Sequence, residues 1–204
     1  MNWVSLKNRV EECVKDLEKK SEVEFVSVFA KESHSYLFFK LLVSVFVSLV
    51  TALAFAGVPW ASERSLFISL AAGIALLLTW GLLEIPGLFR MLAPSSMLKA
   101  EVEEAAQLAF LRERVFETKE RTGILIYVSQ LEQAVFVMAD CGLLKIIPHQ
   151  EWREIGAKMA QAFQRLNEED LFLLALTECS QKLEPHFPYQ AENRNQLTDQ
   201  LRRS

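Results

Sequence analysis

The 204-residue chain lacks the signatures of most enzyme chemistry. Its three cysteines, Cys13, Cys141 and Cys179, are odd in number and widely spaced, which excludes a disulfide framework and a zinc site of paired thiolates. The three histidines, His34, His149 and His186, form no pair at ligand spacing, and no serine or cysteine stands in a motif that would recruit one as a base. There is no glycine-rich phosphate loop. A basic stripe is missing too, and with a net charge of −4 the sequence is not one for nucleic acid. Nor does the opening read as a cleaved leader, because Met1 to Ser35 is polar and helical in pattern and the first apolar run comes too late. The apolar segments are therefore expected to be retained.

What the chain has is segregation. Hydrophobic residues make up 51% and charged residues 24%, figures that coexist only if the apolar residues are gathered in blocks. No charge occurs from Leu41 to Val58 or from Leu66 to Leu83. Runs of that length rise about 27 Å as α-helix, close to the roughly 30 Å hydrocarbon core. In lipid the backbone must satisfy itself, so both runs are predicted to be helical despite the Val and Phe of the first. The hydroxyls of Ser44, Ser48 and Thr51 can bond back to their own helix. Ser69, Ala72, Gly73 and Gly81 in the second run are small enough to admit a neighbouring helix closely, which predicts a packed hairpin.

Between the runs lie Pro59 to Ser65, too few residues for a domain, with Trp60 suited to the membrane interface. Lys40 can snorkel at the other end, where Glu84 reads as an interfacial end-group and Pro86, Gly87 and Arg90 break the pattern. Lys31, Lys40, Arg90 and Lys99 flank the outer ends of the hairpin against Arg64 alone in the loop, so both termini are expected to be cytoplasmic.

The flanks read as one α/β (α+β) domain of roughly 140 residues, enough for one modest core. Residues 5 to 20 form an amphipathic helix on Leu6, Val10, Cys13, Val14 and Leu17, with Ser5 placed to cap, and Val23 to Ala30 reads as a strand. Ala100 to Glu117 reads as a helix with Val102, Ala105, Ala106, Ala109 and Phe110 on one face. Ile124 to Ser129 and Ala134 to Ala139 make a β-hairpin. Pro148 and His149 precede a helix carrying Trp152, Ile155, Met159, Ala162 and Leu166. Asn167 can cap the last helix, which carries Leu171, Leu174, Ala175 and Leu183 and ends at Glu184-Pro185. The predicted architecture is a small sheet covered by helices, with an inserted two-helix transmembrane hairpin. Its parts are an amino-terminal helix and strand (1–35), the hairpin (36–94, spans about 37–58 and 66–86), the rest of the domain (95–189) and a polar tail (190–204), in which Leu197 and Leu201 could support a short helix.

Arg121-Thr122-Gly123-Ile124-Leu125-Ile126-Tyr127-Val128-Ser129, Leu131-Glu132, Met138-Ala139-Asp140, Trp152 and His186-Phe187-Pro188 together resemble the bacterial membrane branch of the TPM domain family. Glu22 to Val28, with Ser33 and Tyr36, is similar to the first strand of that domain. The resemblance spans both flanks in the family's order. It implies an α/β sandwich, for some relatives a phosphatase using a divalent cation, Ca²⁺ or Mg²⁺, held by acidic residues, and for others an assembly role in membrane complexes. This chain departs from lumenal or periplasmic relatives by splitting the domain and lacking a leader.

A metal-dependent phosphatase needs converging carboxylates and an open coordination position. Asp140 is the candidate catalytic residue, and Asp140, Glu132 and Glu120, with Glu117 nearby, are the candidate ligands. The competing role for Asp140 is to bond backbone amides in its own turn. Glu151 and Glu154 suit the first turns of a helix. Arg121 could hold an anion or partner, or pair with Glu132 across the β-hairpin, the reading favoured here. His186 is the other candidate contact, against a turn that docks Phe187 on the core. The expected function is a non-enzymatic interaction or assembly module, a two-pass protein of a bacterial inner membrane whose partners are the bilayer and another membrane protein or a second copy. The alternative is a metal-dependent phosphohydrolase. A transport pathway is disfavoured because the spans carry no central charge.

Overall fold

The computed structural model describes residues 3–18, 23–56, 64–163, 165–187 and 201–203. The chain divides into two compact units, one of Met1–Ser33 with Leu98–Ser204 and one of His34–Met97. The cap expected at Ser5, Glu22, the reversal at 59–63, Pro188 and the tail at 190–200 lie outside the described residues.

The first unit is built on a sheet whose strands are β1 (Glu24–Ala30), β2 (Gly123–Ser129), β3 (Ala134–Ala139) and the two-residue β4 (Arg202–Arg203), in the order β3-β2-β1-β4. β2 and β3 pair antiparallel through the expected hairpin, in which Gln133 takes a left-handed φ of 50°. β1 pairs with β2 in parallel, from Glu24 opposite Gly123 to Ala30 opposite Ser129. Parallel neighbours require a crossover. Here the crossover contains the entire second unit followed by α5 (Ser95–Arg112), so the apolar hairpin is an insertion within one β-α-β connection.

β1 and β2 are buried at every position, which explains their near-continuous apolar sequence. On one face Phe25, Phe29, Ile124, Ile126, Val135 and Val137 pack with α1 (Trp3–Glu18), α6 (Cys141–Leu144), α7 (His149–Ala162) and α8 (Glu168–Leu183). On the other, Val26, Val28, Ala30, Leu125 and Tyr127 meet Val102, Ala106 and Ala109 of α5. The sheet is thus covered by helices on both faces, as expected. Lys158–Glu178 (2.5 Å) and Lys182–Glu151 link α7 to α8, and Arg9–Glu169 links α1 to α8. Asn167 Oδ1 accepts the Asp170 N–H at 2.8 Å, so the predicted cap of α8 is present.

Two helices of this unit have boundaries that differ from expectation. The helix expected at 100–117 starts at Ser95 and stops at Arg112, where Arg114 turns left-handed (φ 55°) and Val115–Glu117 forms a 3-10 turn. That turn carries Val115 under the start of β2. Leu166 falls beyond α7, which ends at Ala162. Of the tail, Leu201 is buried in the core, and Arg202 and Arg203 pair with Val28 and Phe29 of β1, with Arg202 bridged to Glu113 at 3.2 Å, while Leu197 lies outside the described residues. This short strand covers the edge of β1 that β2 leaves open.

The second unit contains α2 (Leu37–Ala56), α3 (Arg64–Leu83) and α4 (Pro86–Leu92). α2 and α3 pack along each other as a hairpin. The second span stops at Leu83 rather than 86, because Pro86 cannot continue a helix and instead occupies the first position of α4.

Candidate functional site

The two helices of the hairpin are long and apolar enough to cross a membrane. Their surface is inverted relative to a soluble core helix, with Phe38 exposed at 74% and Leu77 at 71%, alongside Leu41, Phe46, Leu53, Phe67 and Leu70. Burying such a side chain stabilises by about 1.5–3 kcal/mol, so leaving this belt in water forgoes on the order of tens of kcal/mol. The polar atoms show the complementary pattern. Ser44, Thr51, Ser69 and Thr79 each donate to a carbonyl of their own helix, at 2.7 to 3.0 Å. Ser48 departs from expectation: its hydroxyl bridges to the Ala72 carbonyl of α3 at 2.9 Å and fixes the register of the pair.

Gly73 and Gly81 depart as well. A Cβ at either would meet open space, so the close approach runs past Ala72 and Ser48 and the glycines face outward. The end of the hairpin opposite its loop is clamped by charge and by aromatics. Lys40 Nζ lies 3.0 Å from Glu84 Oε2, so the residues expected to snorkel and to end the span are partners. Phe89 of α4 is buried against Tyr36 (ring centroids 4.9 Å) and Phe39 (5.9 Å), and Lys40 lies 5.8 Å from its centroid.

The chemical candidates in the first unit fall at two opposite ends of the β-hairpin. At the start of β2 and the end of β3, Arg121 Nε stands 2.9 Å from Asp140 Oδ2. The two form an ion pair at this corner. Asp140 Oδ1 accepts the Cys141 N–H at 2.7 Å and caps α6, the structural role weighed against catalysis. Arg121 is left-handed (φ 58°) and lies 5.7 Å from the Phe116 ring. Contact with the Cys141 side chain, then with Asp140, holds its guanidinium pKa above the usual value against partial desolvation. Gly142 makes this corner possible, because any Cβ there would collide with the Glu120 and Arg121 carbonyls.

Glu132 lies at the other end. Its Oε1 accepts the Ser33 N–H at 2.9 Å, its Oε2 accepts the Ser129 hydroxyl, and the Tyr127 hydroxyl meets Ser33 Oγ at 3.4 Å. This corrects the expected Arg121–Glu132 pairing. Arg121 precedes β2 and Glu132 follows it, and seven extended residues separate the two by roughly 23 Å. An antiparallel partner returns to the start of the first strand, so Asp140 is the neighbour of Arg121. For the same reason Asp140 and Glu132 do not share a coordination sphere. Glu120 is exposed beside Arg121, Glu117 faces Arg114 at 3.6 Å, and among the described residues no three potential ligands gather. Glu151 bridges to Lys182 and Glu154 accepts from Gln150 at 3.1 Å, both in structural roles. His186 is exposed in the turn after α8, its N–H donating to the Leu183 carbonyl at 2.9 Å, while Phe187 packs on the core.

Sequence reasoning missed Phe116 and Cys141 beside Arg121, and Ser33 and Ser129 as partners of Glu132. The available signal was topological, since a hairpin dictates which loop residues meet. No protein-family model matches this chain, and no curated protein matches it. Among solved structures it is similar to the NMR structure of BA42 protein from the psychrophilic bacterium Bizionia argentinensis, at 12% identity and a TM-score of 0.60 over 98% of this chain and 94% of that one. At that identity the likeness is one of fold.

Proposed function

We propose that the chain is a two-pass integral membrane protein whose TPM-like domain acts at the membrane surface as an interaction or assembly module for a membrane complex. The carrying observation is the exposed apolar belt of α2 and α3, inserted inside a β-α-β connection, with each described hydroxyl of the two helices donating to a carbonyl. A hairpin that buries so little of itself needs an apolar solvent. The candidate carboxylates favour the module reading, since Glu132 and Asp140 are engaged with Ser33, Ser129, Cys141 and Arg121. The bias of Lys31, Lys40, Arg90 and Lys99 over Arg64 supports cytoplasmic termini in a bacterial inner membrane.

Four measurements test this reading. Membranes washed with high salt and urea should retain the protein, and release into the supernatant would remove the membrane claim. Cysteines introduced in the 59–63 loop should react with an impermeant maleimide added from outside the cytoplasmic membrane, whereas reaction from inside alone would reverse the topology. Crosslinking in native membranes should capture a specific membrane protein. Hydrolysis of a phosphate ester that is stimulated by Ca²⁺, Mg²⁺ or Mn²⁺ and abolished by Asp140→Asn would replace the module with an enzyme.

A further inference from the structure

The helix that follows the hairpin has an unusual surface. α3 ends in two tightened turns, with Glu84 N–H donating to the Gly81 carbonyl (3.3 Å) and Ile85 N–H to the Leu82 carbonyl (3.1 Å). Ile85 is extended and Pro86 opens α4, so the chain is redirected at a fixed point. Of the seven residues of α4, Arg90 alone carries a charge. Phe89 is buried against Tyr36 and Phe39, which holds the helix to the start of α2. Ile85, Leu88, Met91 and Leu92, by contrast, leave apolar side chains at the surface. Met91 is 75% exposed, Ile85 and Leu92 are about half exposed, and Leu88 is partly exposed.

These exposed apolar residues follow directly on exposed Leu82 near the end of α3, and they begin where the Lys40–Glu84 pair marks the end of the apolar segment. We propose that α4 is a third membrane element, an interfacial helix seated in the headgroup layer with Ile85, Leu88, Met91 and Leu92 against the acyl chains. The occupant of this face is the lipid surface itself. Such helices bury an apolar side to the headgroup–acyl boundary without spanning, and a chain of about 10 Å is far too short to span. The aromatic bracket of Tyr36, Phe39 and Phe89 gives α4 a fixed depth relative to the spans. The proposal rests on the reading that α2 and α3 cross a bilayer.

Depth measured by spin labelling separates the two claims. In a Cys13→Ser, Cys141→Ser background, with buried Cys179 retained, single cysteines at Leu77, Met91, Leu92 and Glu154 carry a nitroxide. The protein is reconstituted in phosphatidylethanolamine and phosphatidylglycerol vesicles, and collisions with oxygen and with nickel ethylenediaminediacetate are measured. The oxygen-to-nickel ratio should be greatest at Leu77, intermediate at Met91 and Leu92, and several-fold lower at Glu154. A Leu77 label in the acyl core with Met91 and Leu92 as nickel-accessible as Glu154 would overturn the interfacial helix and leave the spans standing. Met91 and Leu92 shielded from both reagents would also overturn it, because protein and not lipid then covers the face. A nickel-accessible Leu77 label would remove the crossing and the proposal together.

Discussion

A carboxylate inside a protein is stable only when its oxygens are occupied, and Glu132 meets that condition twice, through the Ser33 N–H and the Ser129 hydroxyl. Its removal leaves buried donors without partners, which costs about 1–3 kcal/mol each. Glu132→Ala should therefore lower the unfolding free energy by about 2 kcal/mol or more, and Glu132→Gln by less, in urea titrations of the detergent-solubilised protein. Equal stability of Glu132→Ala and the parent would show the network to be idle. Alkaline pH offers a second residue-scale test. Burial raises the Cys179 thiol from 9.0 to about 12 and pushes the Tyr127 hydroxyl above its ordinary 10.0. Both are acids that the fold keeps neutral, so above pH 9 the unfolded chain loses these protons first and binds fewer than the folded one. Stability is then complete below pH 9 and declines as pH rises towards 12, by on the order of 4 kcal/mol for Cys179. Cys179→Ala should flatten that decline between about pH 9 and about pH 11, and an unchanged slope would reject the assignment. At this scale the sequence was least informative. It named Asp140, Arg121 and Glu132 but joined the wrong pair, because residue type says nothing about which end of a hairpin a side chain occupies.

Elements were far more legible than contacts. Period-two and apolar runs located β1, β2 and β3 to within a residue, and the Asn167 cap and the Pro86 break were readable as local chemistry. The misplaced end of α5 has a different cause. Helix-favouring Glu and Arg continue past Arg112, yet Val115 must pass beneath Gly123, and that tertiary demand outweighs propensity. The glycines make the contrast measurable. A Cβ at Gly123 would strike the Val115 carbonyl, and one at Gly142 the carbonyls of Glu120 and Arg121, all of them backbone that cannot swing aside. Gly123→Ala and Gly142→Ala should each cost about 1–3 kcal/mol in thermal or urea unfolding. Gly73→Ala and Gly81→Ala meet open space and should leave stability within about 0.5 kcal/mol of the parent. A large loss at Gly73 would instead reinstate the close helix contact that its sequence context suggested. Between α2 and α3, Ser48→Ala removes the bond to the Ala72 carbonyl and, on the proposed membrane reading, should cost about 0.6 kcal/mol, a value typical of hydrogen bonds between membrane helices.

For the whole molecule the decisive fact is where the hairpin is inserted. The first unit keeps both of its packed layers without residues from 34–97, since its core side chains come from α1, α5, α6, α7, α8 and the sheet. What it does lose on excision is the tie between β1 and α5. A parallel β1–β2 pair demands a crossover, and α5 supplies it only if the chain from Ser33 reaches Leu98. A flexible Gly/Ser linker of about 20 residues, with a root-mean-square reach of roughly 25 Å, should replace residues 34–97 at little cost, because loop closure depends only weakly on length. The resulting chain is expected to be water-soluble and monomeric and to unfold cooperatively in urea, with protected amides along β1 and β2 in hydrogen exchange. The same linker in a chain that also carries Glu132→Ala should show faster exchange at Ser33 than at Ile124, because the Glu132 carboxylate pins the exit of β1 while Ile124 sits inside the parallel ladder. Insolubility of the excised protein, or loss of protection along β1, would mean that the hairpin is part of the domain's folding nucleus and not a separable insertion.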